Sequence, residues 1–213
     1  MKNLLVLMLA GALLAGCAGR VTESVDDAAA RAAYADRAMA IESWREWGFT
    51  GRLGIRGAED GGSGRIDWSV AGDHAVLQFR GALGQGAWRL ETDAIGATLT
   101  RADGSVVRAA DADALAFAEV GWRVPVEALA RWVRGLASAT TQSATKRIPP
   151  GLSLDARGLP LSLEQGGWQV TFERYDNETG AWLPGRVQAE QGETRVRLVI
   201  SQWRHDGDKA GDN

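Results

Sequence analysis

Residues 65–80 read Arg65-Ile66-Asp67-Trp68-Ser69-Val70-Ala71-Gly72-Asp73-His74-Ala75-Val76-Leu77-Gln78-Phe79-Arg80. Apolar and polar side chains alternate through 65–70 and again through 75–80, and the break falls on Ala71-Gly72-Asp73-His74. A period of two puts alternate side chains on opposite faces of an extended chain, and the Gly-Asp pair supplies turn chemistry. The stretch predicts a hairpin with one apolar face. The same signature continues outward over 51–56, 87–91, 97–101 and 105–108, with turn signals at 59–62, 93–96 and 102–104. A second set of strand-like runs covers 152–154, 161–164, 168–175, 183–190 and 194–203. Short strands joined by tight turns predict an antiparallel meander, apolar on one side and solvated on the other.

Two regions break this pattern. Residues 26–47 are rich in Ala, Arg, Glu and Asp and lack Gly and Pro, which predicts a helix ending at Gly48. Its expected apolar face is Ala29, Ala33, Met39 and Ile41, with Trp44 and Trp47. Residues 111–136 predict two helices. Asp111 or Asp113 caps the first over 114–119, residues 121–124 interrupt, and Pro125 opens the second. Val126, Leu129, Trp132, Val133 and Leu136 give the second an apolar stripe, with Gly135 near its end. The polar segment 137–150 closes on Pro149-Pro150 and predicts a loop. The implied fold class is α+β, mostly β: a strongly curved antiparallel sheet forming an unclosed half-barrel, with helices as a lid on its concave face. Such a lid leaves either a packed core or a cavity.

Composition narrows the function. The chain has 213 residues, 45% apolar and 24% charged, with 24 Lys+Arg against 27 Asp+Glu. A net charge of −3 supplies no global field for nucleic acid. A single cysteine excludes an intramolecular disulfide framework and a cysteine-rich zinc site, and two histidines leave little material for His-based catalysis. Nine tryptophans against four Phe and two Tyr point to large, rigid apolar surfaces.

The first residues read as an address. Lys2 precedes an apolar run from Leu4 to Leu14, too short for the ~20 residues that span a bilayer core. Leu14-Ala15-Gly16-Cys17 then resembles a bacterial lipobox. The expected division is a signal peptide at 1–16, a lipidated tether at 17–25, one lipoprotein-binding domain at 26–205 and a tail at 206–213. No cofactor is expected beyond covalent diacylglycerol and N-acyl (palmitate-type) lipid on Cys17, which anchors the chain without spanning the bilayer. Ala18, rather than Asp, follows the cysteine. By resemblance to enterobacterial lipoprotein sorting, this favours the periplasmic face of the outer membrane.

Several motifs recur in one order: Gly51-Arg52, Trp68, Leu77-Gln78-Phe79-Arg80-Gly81-Ala82-Leu83-Gly84, Trp122-Arg123-Val124-Pro125-Val126 and Trp132-Val133-Arg134-Gly135. They continue with Gly166-Gly167-Trp168-Gln169-Val170, Leu183-Pro184 and a terminal Trp203. This order, over roughly 44–203, resembles the LolB family of outer-membrane lipoprotein receptors. The resemblance implies a half-open barrel under a helical lid, whose apolar cavity takes acyl chains of client lipoproteins from a periplasmic, LolA-like carrier. It implies insertion of those clients into outer-membrane lipid without a nucleotide, by a monomer. It also implies a protruding loop with an exposed leucine, here Leu83 flanked by Ala82 and Gly84. The family usually has Pro where this chain has Ala82, which leaves the loop tip less rigid. The alternative reading is a structural or interaction lipoprotein of the same fold with a filled core.

The acyl-cavity candidates are Trp68, Trp132, Trp168 and Trp203, with Phe79, Leu90 and Leu129 beside them; each is equally suited to a barrel core. Arg52, Arg56, Arg65, Arg80 and Arg89 form either a solvated face or a basic rim that meets an acidic mouth of the carrier. Enzyme readings are poor. His74 falls in a turn and His205 in a tail, so both are expected in solvent, and the carboxylate pairs Asp26-Asp27 and Glu190/Glu193 have nothing to place them in a cleft. Gly84-Gln85-Gly86 has no following Walker-type lysine, and metal-ligand spacing is missing. No catalytic residue and no metal are therefore expected.

Overall fold

The computed structural model describes residues 27–57, 61–82, 86–121, 124–138 and 149–205. In chain order these form α1 (Asp27–Glu42), β1 (Glu46–Arg56), β2 (Gly61–Ala71), β3 (His74–Gly81), β4 (Trp88–Thr92), β5 (Ala97–Arg101) and β6 (Val106–Ala109). Then come α2 (Ala112–Val120), α3 (Val126–Trp132), β7 (Leu152–Leu154), β8 (Pro160–Gln165), β9 (Trp168–Glu173), β10 (Arg186–Gln191) and β11 (Thr194–His205). The strands make one eleven-stranded sheet in the order β6-β5-β4-β3-β2-β1-β11-β10-β9-β8-β7, antiparallel throughout. Two meanders therefore run outward from the central β1–β11 pair, and the sheet is unclosed. Its edges, β6 and β7, are consecutive in the chain. The segment joining them, which carries α2 and α3, has to cross from one edge to the other, and it does so over the apolar face.

Two cross-sheet rows build that face. One runs Trp203-Phe49-Trp68-Leu77-Leu90-Leu99-Val107 through successive paired positions. The other runs Ile55-Val196-Ala189-Val170-Leu163-Leu152. Between them β11 carries an extra residue opposite Thr50/Gly51. That bulge resets the phase, so Leu198 and Trp203 both point inward although they stand five positions apart, which strict alternation would put on opposite faces. A bulge also bends and twists its strand, which helps the sheet curl. Leu115, Leu129, Trp132, Val133 and Leu136 from the crossing segment join the sheet residues in one buried cluster.

The helices follow their local chemistry. The Asp111 carboxylate accepts from the Asp113 and Ala114 N–H groups at 2.8 and 2.9 Å and caps α2, and Gly121 ends that helix in the left-handed region. Asp113 has another role: it accepts from the Val126 N–H at 2.7 Å and ties the start of α2 to the start of α3. Burial raises the Asp113 carboxyl above its ordinary range, and this hydrogen bond opposes the rise.

Some expectations are corrected. The first helix stops at Glu42, and Trp47 belongs to β1, because the run Trp47-Gly48-Phe49 extends the period of two backward. The buried face of α1 is Ala30, Tyr34 and Ile41, while Ala29, Ala33 and Met39 are exposed. A helix this rich in alanine gives little contrast from which to read a stripe. The ninth strand ends at Glu173 because Arg174 takes a positive φ of 59°. Leu183 makes only an isolated bridge with Asp176, since Pro184 has no N–H to continue a ladder. His205 is not in a solvated tail: it ends β11, stacks on Trp44 at 4.4 Å and places Nε2 3.0 Å from the Thr179 carbonyl.

Candidate functional site

The region between the sheet and the crossing helices holds most of the candidate residues. Trp68, Leu90, Leu129, Trp132, Trp168 and Trp203 are all buried in the same cluster. Phe79 is partly buried and stacks on Trp88 with centroids 5.5 Å apart. The buried tryptophans fall into two groups, one of them joined by Phe49. Trp47, Phe49, Trp68 and Trp203 contact one another at centroid distances of 5.2 to 6.4 Å. Trp132 and Trp168 lie 5.8 Å apart.

The indole N–H groups separate the tryptophans further. Trp203 donates to the Pro184 carbonyl at 3.2 Å, and Trp132 donates to Gln165 Oε1 at 3.2 Å. These donors are committed to the scaffold. The Trp68 N–H is buried with no acceptor among the described residues. An unpaired buried donor costs about 1–3 kcal/mol. Trp68 therefore combines a large apolar surface with one unused polar handle on the inner face.

Polar latches fasten the rim of this interior. Gln165 accepts from the Ser138 N–H at 2.7 Å and donates to the Ser138 carbonyl at 2.8 Å, holding the chain after α3 against β8. From α1, Arg37 donates to the carbonyls of Arg134 (2.6 Å), Gly135 (3.2 Å) and Trp182 (2.7 Å). The Tyr34 hydroxyl accepts from the Ala137 N–H at 3.2 Å, and Arg131 pairs with Glu42. Gly135 has a positive φ of 69°, and a Cβ there would meet the Arg37 guanidinium. Gly158, at φ 77°, likewise lets the β7–β8 turn approach the backbone of Ala30 and Tyr34. At the other edge, Arg101 pairs with Glu119 and holds α2 to β5. Arg134 is buried with its guanidinium 4.4 Å from the Trp47 ring, and burial lowers its pKa to about 10. Desolvation lowers Arg37 as well and raises Tyr34.

Cys17, Leu83 and Gly84 lie outside the described residues; Ala82, just before the loop, is exposed. The five candidate arginines do not face the interior. Arg52, Arg56, Arg65 and Arg80 are exposed on the opposite side, and Arg89 pairs with Glu91 at 2.9 Å. Among the described residues no group of His, Cys, Asp or Glu is arranged to hold a metal. Sequence reasoning missed Trp47 and Phe49, whose alternation with Gly48 and Thr50 was a usable signal. It also missed the latches Arg37, Tyr34 and Gln165, whose partners lie far away in the chain.

The family model described as "Outer membrane lipoprotein LolB" matches residues 45–203. An outer-membrane lipoprotein LolB of Pseudomonas fluorescens is 35% identical over 194 residues, covering 91% of each chain. One of Stutzerimonas stutzeri is 34% identical over 205 residues, covering 96% of each. Among solved structures, a putative outer-membrane lipoprotein-sorting protein domain from Vibrio parahaemolyticus superposes with a TM-score of 0.52 at 14% identity, over 83% of this chain and 92% of that one. A LolA superfamily protein from Nitrosomonas europaea gives 0.52 at 12% identity, over 82% and 92%. At such identities the two structures speak for the fold alone. The matched span and the identity to full-length relatives establish that this chain belongs to the LolB family of outer-membrane lipoproteins.

Proposed function

We propose that this chain is a membrane-anchored receptor that takes lipoproteins from a soluble carrier, holds their acyl chains between the sheet and α3, and passes them to the outer membrane. The observation that carries the reading is the inner face itself: two apolar rows across an unclosed sheet, covered by a short helix that polar latches hold at its rim. The candidate residues are buried, so an entering chain lifts α3 or parts the aromatic groups. Each methylene moved out of water contributes about 0.8 kcal/mol. A small difference in the number of methylenes covered is then enough to set the direction from carrier to receptor to bilayer, and no nucleotide or covalent step is needed. Phe79, Leu90, Leu129 and Trp132 do this work as surfaces that ask no hydrogen bond of a hydrocarbon, and Trp68 adds area with an unpaired N–H. Cys17 serves as the lipid anchor and Leu83 as a wedge that touches the bilayer during release.

The test mixes the chain from Ala18 onward with a carrier loaded with an acylated client, without nucleotide. That truncation keeps every described element. The client moves to this chain; retention by the carrier overturns the reading.

A further inference from the structure

The outer face of the sheet carries a feature that acyl binding does not use. In the register of β1, β2 and β3, Arg52 lies directly opposite Arg65, and Arg65 directly opposite Arg80. Arg197 on β11 pairs with Gly54 and so sits diagonally next to Arg52. All four are exposed, and none has a carboxylate partner among the described residues. The acid nearest along β2, Asp67, is already engaged by Arg204 at 3.2 Å. Adjacent strands are about 4.8 Å apart, so three guanidinium groups line up across about 10 Å of rigid sheet. Like charges directly opposite one another destabilise a strand pair. This row does so on a chain whose net charge is −3, and other sheet arginines are paired, as Arg89, Arg186 and Arg195 are with Glu91, Glu173 and Glu190.

We infer that the Arg52–Arg65–Arg80 row is a docking surface for an anionic bilayer, its guanidinium groups binding lipid phosphates. Planar forks on a fixed sheet suit phosphate oxygens, and a bilayer offers them as a two-dimensional array. Family membership places the chain on a membrane, and residues 18–26 between Cys17 and α1 reach at most about 30 Å when extended. A phosphate-bearing surface is thus within reach of the domain. Docking there fixes the orientation of the anchored domain and relieves the repulsion within the row.

The test is vesicle flotation of the chain from Ala18 onward, with neutral phosphatidylcholine vesicles and with vesicles containing a quarter phosphatidylglycerol. The wild type floats with the anionic vesicles only and is released by high salt. The triple variant R52Q/R65Q/R80Q binds anionic vesicles about a hundredfold more weakly at low salt, with a thermal midpoint unchanged or raised. A charge-matched control, R31Q/R108Q/R157Q, loses far less. Equal binding of the wild type to both vesicle types overturns the inference, as does an equal loss in the control. Uptake of an acylated client in solution is measured on the same triple variant and stays intact, which separates this inference from the receptor reading.

Discussion

Replacing Arg37 with methionine removes the fastener between α1 and the end of α3 while keeping an apolar stem over Tyr175. The guanidinium makes three hydrogen bonds to backbone carbonyls, at Arg134, Gly135 and Trp182. A net value of about 1 kcal/mol per bond, reduced for the partial exposure of this residue, gives about 2–3 kcal/mol of lost stability. For a domain of this size a loss of 1 kcal/mol lowers the midpoint by about 2–4 °C, so R37M should melt about 5–10 °C below wild type. R37K, which can reach one or two of the three carbonyls, should fall between. The loss is local to the lid. Hydrogen exchange should therefore accelerate at Val133, Arg134 and Gly135, whose N–H groups bond to Leu129, Arg131 and Trp132, more than at the β1–β11 pair. Stopped-flow uptake of a fluorescent fatty acid should become faster, because opening costs less. A midpoint within about 1 °C of wild type, or faster exchange spread evenly over the sheet, refutes the view that Arg37 holds a lid.

Other substitutions probe separate parts of the account. W68F loses apolar area but also removes an unpartnered donor, so the two effects nearly cancel and stability changes by about 1 kcal/mol or less. W203F breaks the bond to Pro184 and costs clearly more; equal losses in chemical denaturation would mean that the Trp68 N–H has an acceptor. Leu83→Glu leaves the melting curve unchanged yet stops release of clients into liposomes, and normal insertion by that variant removes the wedge. For Asp113, burial holds the proton to higher pH in the folded chain than in the unfolded one. Its contribution to stability is therefore present below the ordinary Asp pKa and is lost as pH rises through the raised value. D113N removes this slope, so the variant gains on wild type as pH rises above the ordinary Asp pKa of about 3.9. A difference independent of pH contradicts the assignment.

Much of the sheet was legible because its signal is local. Each inward side chain alternates with an outward one inside a short run, and Gly-Asp or Asp-Gly pairs mark the turns. What the sequence hid is what depends on distant partners. The backward extension of β1 is fixed by pairing with β2 and β11, so an alanine-rich prefix made Trp47 look helical. The bulge in β11 leaves no local mark, yet it decides that Leu198 and Trp203 share a face. The stripe Val126, Leu129 and Trp132 could be read, but the latches could not: Arg37 and Gln165 resemble any solvated Arg or Gln until their carbonyl partners arrive from far along the chain. The arginine row is similar. Its residues were visible, and only the strand register showed that they stand opposite one another and face away from the site.

The central claim is that acyl chains lodge beneath α3 on the inner face of the sheet. The most direct measurement is photo-crosslinking with a client lipoprotein whose acyl chain carries a diazirine, followed by mass-spectrometric mapping of the adducts. The account predicts adducts on Trp68, Leu90, Leu129 and Trp132, lost when an unmodified fatty acid competes. Adducts confined to the outer face, or none at all while transfer proceeds, would contradict it.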